Sequence, residues 1–92
     1  MLKLERRRST IEVVADILRL GEARKTEIMY AVNLSYCQLQ KYLNLLLELK
    51  LIDRVTISNQ SVTYRLTTKG LSLLRDIDGV LEMLEGEETI DL

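Results

Sequence analysis

The apolar residues of this chain change their period twice, and those changes divide it into elements. From Ser9 to Leu20 they recur at helical spacing, with Ile11, Val14, Ala15 and Leu18 on one face and Val13, Ile17 and Leu20 nearly opposite. Ser9-Thr10-Ile11-Glu12 has the form of a capping box, so the pattern predicts a helix that opens at Ser9 and stops at Gly21. A helix apolar on two sides needs two packing partners, here the domain core and the C-terminal helix of its own or a second chain. After the polar connection Gly21-Glu22-Ala23-Arg24, residues Lys25 to Val32 read as a short second helix burying Ile28, Tyr30 or Ala31, and Val32. Asn33-Leu34 breaks it. Ser35, with Gln38 three residues on, repeats the capping pattern and opens a third helix whose core stripe is Leu39, Leu43, Leu46 and Leu47, flanked by Tyr36 and Tyr42.

From Leu51 the period falls to two. Ile52, Arg54 and Thr56 alternate with Asp53, Val55 and Ile57, and a second run, Val62-Thr63-Tyr64-Arg65-Leu66, follows the turn-forming Ser58-Asn59-Gln60-Ser61. This predicts a β-hairpin. Helical spacing then returns: Thr67 caps a last helix from about Thr68 to Leu84, with Leu74, Ile77, Leu81 and Leu84 at alternating steps of three and four. Leu71, Leu73, Val80 and Met83 widen that stripe, and Gly86 is expected to end it. The expected organisation is a basic arm over 1–8, one domain over 9–67, a helix over 68–85 and an acidic tail over 86–92. The fold class is α+β, mainly α. Ninety-two residues are enough for one core and no more.

Composition refines this picture in two places. Apolar residues make up 47% of the chain but aromatics only 4%, so the core is aliphatic. The net charge of -1 argues against a polyanionic partner until its distribution is considered. Residues 1–69 hold twelve Lys or Arg against seven Asp or Glu, a balance of +5, whereas residues 70–92 hold one against seven, a balance of -6. A basic body with an acidic end can present one surface to a polyanion and keep another away from it.

Several classes of function fall away. The chain has no histidine, which removes imidazole acid-base catalysis and most zinc sites, and it has no glycine-rich phosphate loop. No enzyme, cofactor, metal or small-molecule ligand is expected. The longest apolar runs are triplets such as Leu45-Leu46-Leu47, too short for a bilayer, and the basic N-terminus lacks a signal-peptide core. The expected place is the cytoplasm, in association with the nucleoid. Cys37 is the lone cysteine and supplies no internal disulfide.

The order helix, helix, turn, helix, hairpin, helix is that of a winged helix. The stretch from Arg24 to Leu43, Arg24-Lys25-Thr26-Glu27-Ile28-Met29-Tyr30-Ala31-Val32-Asn33-Leu34-Ser35-Tyr36-Cys37-Gln38-Leu39-Gln40-Lys41-Tyr42-Leu43, resembles the helix-turn-helix of small archaeal winged-helix DNA-binding proteins. These include dimeric nucleoid-associated proteins of about ten kilodaltons from thermoacidophiles and related viral regulators. Leu51-Ile52 and Tyr64-Arg65-Leu66-Thr67-Thr68-Lys69-Gly70 are similar to the wing and its exit, so the resemblance covers roughly residues 10 to 85. It implies that the third helix enters the major groove and that the wing lies along the backbone or minor groove.

On the third helix the face opposite Leu39 and Leu43 carries Cys37, Lys41, Asn44 and Glu48, with Gln38 and Gln40 beside it. Gln and Asn can pair with adenine, and Lys with guanine or phosphate. The expected DNA contacts are Ser35, Tyr36, Cys37, Gln38, Gln40, Lys41 and Asn44 on the helix, Arg54, Asn59, Gln60 and Arg65 on the wing, and Arg6, Arg7 and Arg8 in the arm. The plain alternatives are a solvated helix face and a solubilising terminus. Cys37 stands where the resemblance leads one to expect a cation, and reads as a small tolerated side chain, or else as a redox switch or the site of an intermolecular disulfide.

The last helix is longer than a three-helix core can cover. It is therefore expected to pair two chains through Val13, Ile17, Leu20, Leu74, Ile77, Val80, Leu81 and Leu84. The functional expectation is a homodimer that binds double-stranded DNA, sequence-specifically or as an architectural protein, and acts as a transcriptional regulator. The alternative is a winged helix that binds another protein instead.

Overall fold

A computed structural model of the protein describes residues 9–57, 59 and 61–90, with the side chains of 86–90 left aside. Four helices and three strands follow in the order α1 (Thr10–Arg19), β1 (Glu22–Ala23), α2 (Lys25–Val32), α3 (Tyr36–Glu48), β2 (Ile52–Thr56), β3 (Val62–Leu66) and α4 (Thr68–Ile90).

Each helix start is built by local hydrogen bonding. Ser9 Oγ accepts the Glu12 amide at 3.2 Å while Glu12 Oε1 accepts the Ser9 amide at 3.1 Å. Ser35 and Gln38 repeat this exchange at the start of α3, at 3.0 and 3.2 Å. Such reciprocal caps satisfy two amides that the first helical turn otherwise leaves unpaired. The turn between α2 and α3 hinges on Asn33, whose left-handed backbone (φ 60) ends α2. Asparagine tolerates that conformation better than a branched residue would.

Thr67 joins the wing to α4. Its hydroxyl donates to the Lys50 carbonyl at 2.8 Å and accepts the Gly70 amide at 2.9 Å. Gly70 is held so close to this turn that a Cβ there would lie 2.1 Å from the Leu51 carbonyl oxygen. The start of α4 is thereby seated directly on the chain that leaves α3.

The sheet has the order β1-β3-β2, all antiparallel. β1 departs from the expected polar connection. Glu22 and Ala23 pair with Arg65 and Tyr64, and the Gly21 carbonyl accepts the Leu66 amide at 2.7 Å. Two residues are too few to display an alternating pattern, and the partner strand lies more than forty positions along the chain.

Two further expectations are corrected by the packing. Val13 and Ile17, both 4% exposed, and Leu74, 9% exposed, lie in the chain's own core and not on a surface between chains. The reason is that α1 is packed by its own chain, chiefly by α4 and α2, so that Val13, Val14, Ala15, Ile17 and Leu18 are all buried in the one core. In α2, Ile28 and Val32 supply the buried positions, while Tyr30 (82% exposed) and Ala31 face outward. The core is completed by Leu39, Leu43, Leu46, Leu51, Ile52 and Tyr64.

α4 also passes through Gly86 to Ile90. A glycine weakens a helix by about 1 kcal/mol without imposing an end, and no proline follows to do so. Arg19 ties the end of α1 to this helix through Asp78, and also bonds Asp16 at 2.9 Å. The hydrogen bond that Arg19 donates to Asp78 raises the guanidinium pKa further above its ordinary value. For a cation with a raised pKa the stabilisation is complete below the unfolded value, so Arg19 itself introduces no pH dependence in the neutral range.

Candidate nucleic-acid interface

α3 presents its polar face as the capping and core stripe dictate. With Leu39, Leu43 and Leu46 turned inward, Cys37, Lys41, Asn44 and Glu48 are exposed on the opposite side. Lys41 and Asn44 make no hydrogen bond or ion pair among the described residues, so both ends of their donor inventory are open to a ligand. Ser35 and Gln38 are exposed but have committed oxygens to the cap of the helix. Gln38 retains its amide NH2 as a donor.

Tyr36 and Gln40 occupy the flank of α3 that faces α2, where the structure adds a residue absent from the expected contacts. Lys25, the first residue of α2, donates from Nζ to Gln40 Oε1 at 3.0 Å and stands 5.6 Å from the centroid of the Tyr36 ring. The sequence carried one sign of this arrangement. A cation in the first turn of a helix opposes the helix dipole, so a lysine there calls for another partner.

The wing turns its two arginines apart. Arg54 stands opposite Tyr64 and Arg65 opposite Asp53 in the β2–β3 register, so the two point to opposite faces of the hairpin. Arg65 Nε lies 3.4 Å from Glu22 Oε1, and Thr63 Oγ1 donates to the other oxygen of the same carboxylate at 2.8 Å. Arg54 is exposed and makes no ion pair among the described residues. Asn59 is exposed at the tip with φ 59. Gln60 and the arm residues Arg6, Arg7 and Arg8 lie outside the described residues.

α1 and α4 border an apolar groove of about 330 Å³ lined by Ile11, Ile77, Val80, Leu81 and Leu84 together with Ser9, Glu12 and Asp76. A second groove, lined by Ile11, Leu45, Leu49, Leu73 and Ile77 among others, continues it across the end of α3. Among the described residues no helix is long and apolar enough to cross a membrane, and no group of acidic or cysteine side chains has the makings of a metal site.

A family model described as winged helix-turn-helix matches residues 7–85. The chain belongs to that family. The fold of this winged helix-turn-helix protein is similar to that of Sso10a-2, a DNA-binding protein from Sulfolobus solfataricus. The TM-score is 0.78 at 28% identity, over 91% of this chain and 90% of that one. It is also similar to a MarR family transcriptional regulator from Silicibacter pomeroyi, with TM-score 0.72 and 16% identity over 90% of this chain and 58% of that one. ZitR of Lactococcus lactis, solved in complex with DNA, gives 0.69 and 18% over 91% and 60%. The winged helix-turn-helix protein thus spans about six-tenths of these two regulators, and likeness at such identity concerns the fold alone. No curated protein matches the sequence significantly.

Proposed function

We propose that this winged helix-turn-helix protein binds double-stranded DNA as a homodimer and acts in transcriptional regulation or chromosome organisation, without enzymatic activity. The observation that carries the reading is the outward face of α3, where Lys41 and Asn44 stand exposed and unengaged beside Cys37. A helix of this width fits the major groove, and its amide and ammonium groups match base edges and phosphates. The DNA-binding description of Sso10a-2 and the DNA complex of ZitR support the same reading. Arg54 is the wing cation best placed to add a backbone contact, because Arg65 is held by Glu22.

Dimerisation is supported by the apolar groove between α1 and α4. Val80, Leu84 and Met83, the last 70% exposed, are more apolar surface than one helix of a monomer ordinarily leaves in water. Seated against a second copy they would leave two α3 helices to enter successive major grooves, about 34 Å apart.

Fluorescence anisotropy with labelled duplex DNA across a salt series tests the DNA reading. Affinity should fall steeply as salt rises, because phosphate neutralisation releases counterions. No binding at about 50 mM salt and micromolar protein would overturn it and leave the protein-interaction alternative standing.

A further inference from the structure

We propose that Lys25 is a specificity-determining residue, which fixes the side-chain amide of Gln40 so that this edge of the interface accepts guanine in preference to adenine. The inference rests on the DNA-binding reading above.

An ammonium group only donates hydrogen bonds, so its 3.0 Å contact requires the oxygen of the Gln40 amide to face Lys25 and its NH2 to face away. The Tyr36 ring beneath Nζ holds the ammonium from a second side. Gln40 is half-buried against α2, which restricts the alternative rotamers by which the amide would turn round. A glutamine reads adenine by accepting from N6 and donating to N7 at once. Here an approaching N6 amino group would meet the lysine charge beside the oxygen it needs. Guanine presents O6 and N7, two acceptors, and the Gln40 NH2 with the remaining Lys25 hydrogens presents donors alone. The pair therefore reads as one composite donor.

Selection from random duplexes with the wild-type protein, Lys25→Met, Lys25→Arg and Gln40→Leu tests this, with circular dichroism to establish that each variant is folded. The wild type should select guanine at one position by at least about fivefold. Lys25→Met should lose that preference or move it to adenine at the same position, Gln40→Leu should lose it, and Lys25→Arg should retain it. In the free protein, the Gln40 side-chain amide resonances should shift in Lys25→Met while those of Gln38 stay in place.

Three results would overturn the proposal and leave DNA binding intact: a wild type without base preference, a Lys25→Met variant with the wild-type preference but a smaller salt slope, or unmoved Gln40 resonances. A wild type that binds no duplex would remove the underlying reading itself.

Discussion

Lys41 and Lys25 show how differently two lysines beside one exposed helix face are held: one is open to solvent, the other bonded to Gln40. Lys41 is exposed and unengaged, so its removal should cost phosphate or base contact and nothing else. Lys41→Ala combined with Asn44→Ala should weaken duplex binding about tenfold or more and reduce the slope of log affinity against log salt by about 0.9, at unchanged melting temperature. Anisotropy titrations and thermal denaturation measure the two quantities. An unfolded double variant would mean that these side chains are structural. The exposed face of α3 was legible in the sequence because it follows from the position of Leu39 and Leu43 on the same helix. The partners of Gln40 and Arg65 were not, since Lys25 and Glu22 lie on other elements and their approach depends on the fold.

At the scale of the element, two glycines of α4 make opposite demands. Gly70 sits against the Leu51 carbonyl and the Leu66 side chain, whereas Gly79 has nothing within 4 Å of where a Cβ would be. Gly70→Ala should lower unfolding free energy by about 1–3 kcal/mol, as overfilled sites do. Gly79→Ala should raise it by about 0.5–1 kcal/mol through helix propensity. Urea denaturation at one protein concentration compares them. The helix starts were readable because a capping box is local, needing only residues three apart. The strand at Glu22–Ala23 and the continuation of α4 beyond Gly86 were not, since the first is specified by a distant partner and the second by the absence of a strong stop.

For the whole molecule, the division between core and free surface differs from that suggested by the pattern of α1. Val13 and Ile17 close the chain's own core, while Ile11 joins Val80 and Leu84 in the open groove. Leu84→Glu should therefore convert a dimer to monomers in sedimentation velocity, with the helical content retained. Val13→Ala should instead destabilise the fold by roughly 1–3 kcal/mol, through lost burial and the cavity left behind. An unaltered dimer with Leu84→Glu would place the contact elsewhere. Charge segregation, plain in the sequence, fits this division, because the acidic Asp76, Asp78, Glu82 and Glu85 all belong to α4, where Asp78 meets Arg19 of α1.

The bond between the Gly21 carbonyl and the Leu66 amide, continued by the pairing of β1 with β3, closes a loop that contains α2, α3 and β2. α3 is consequently strung between two points of a single clasp. A tilt of α3 relative to the wing must be absorbed within that loop or open the clasp. The hairpin and α3 are thus joined twice, once through this clasp and once through the core that Leu39, Leu43 and Leu46 share with Ile52 and Tyr64.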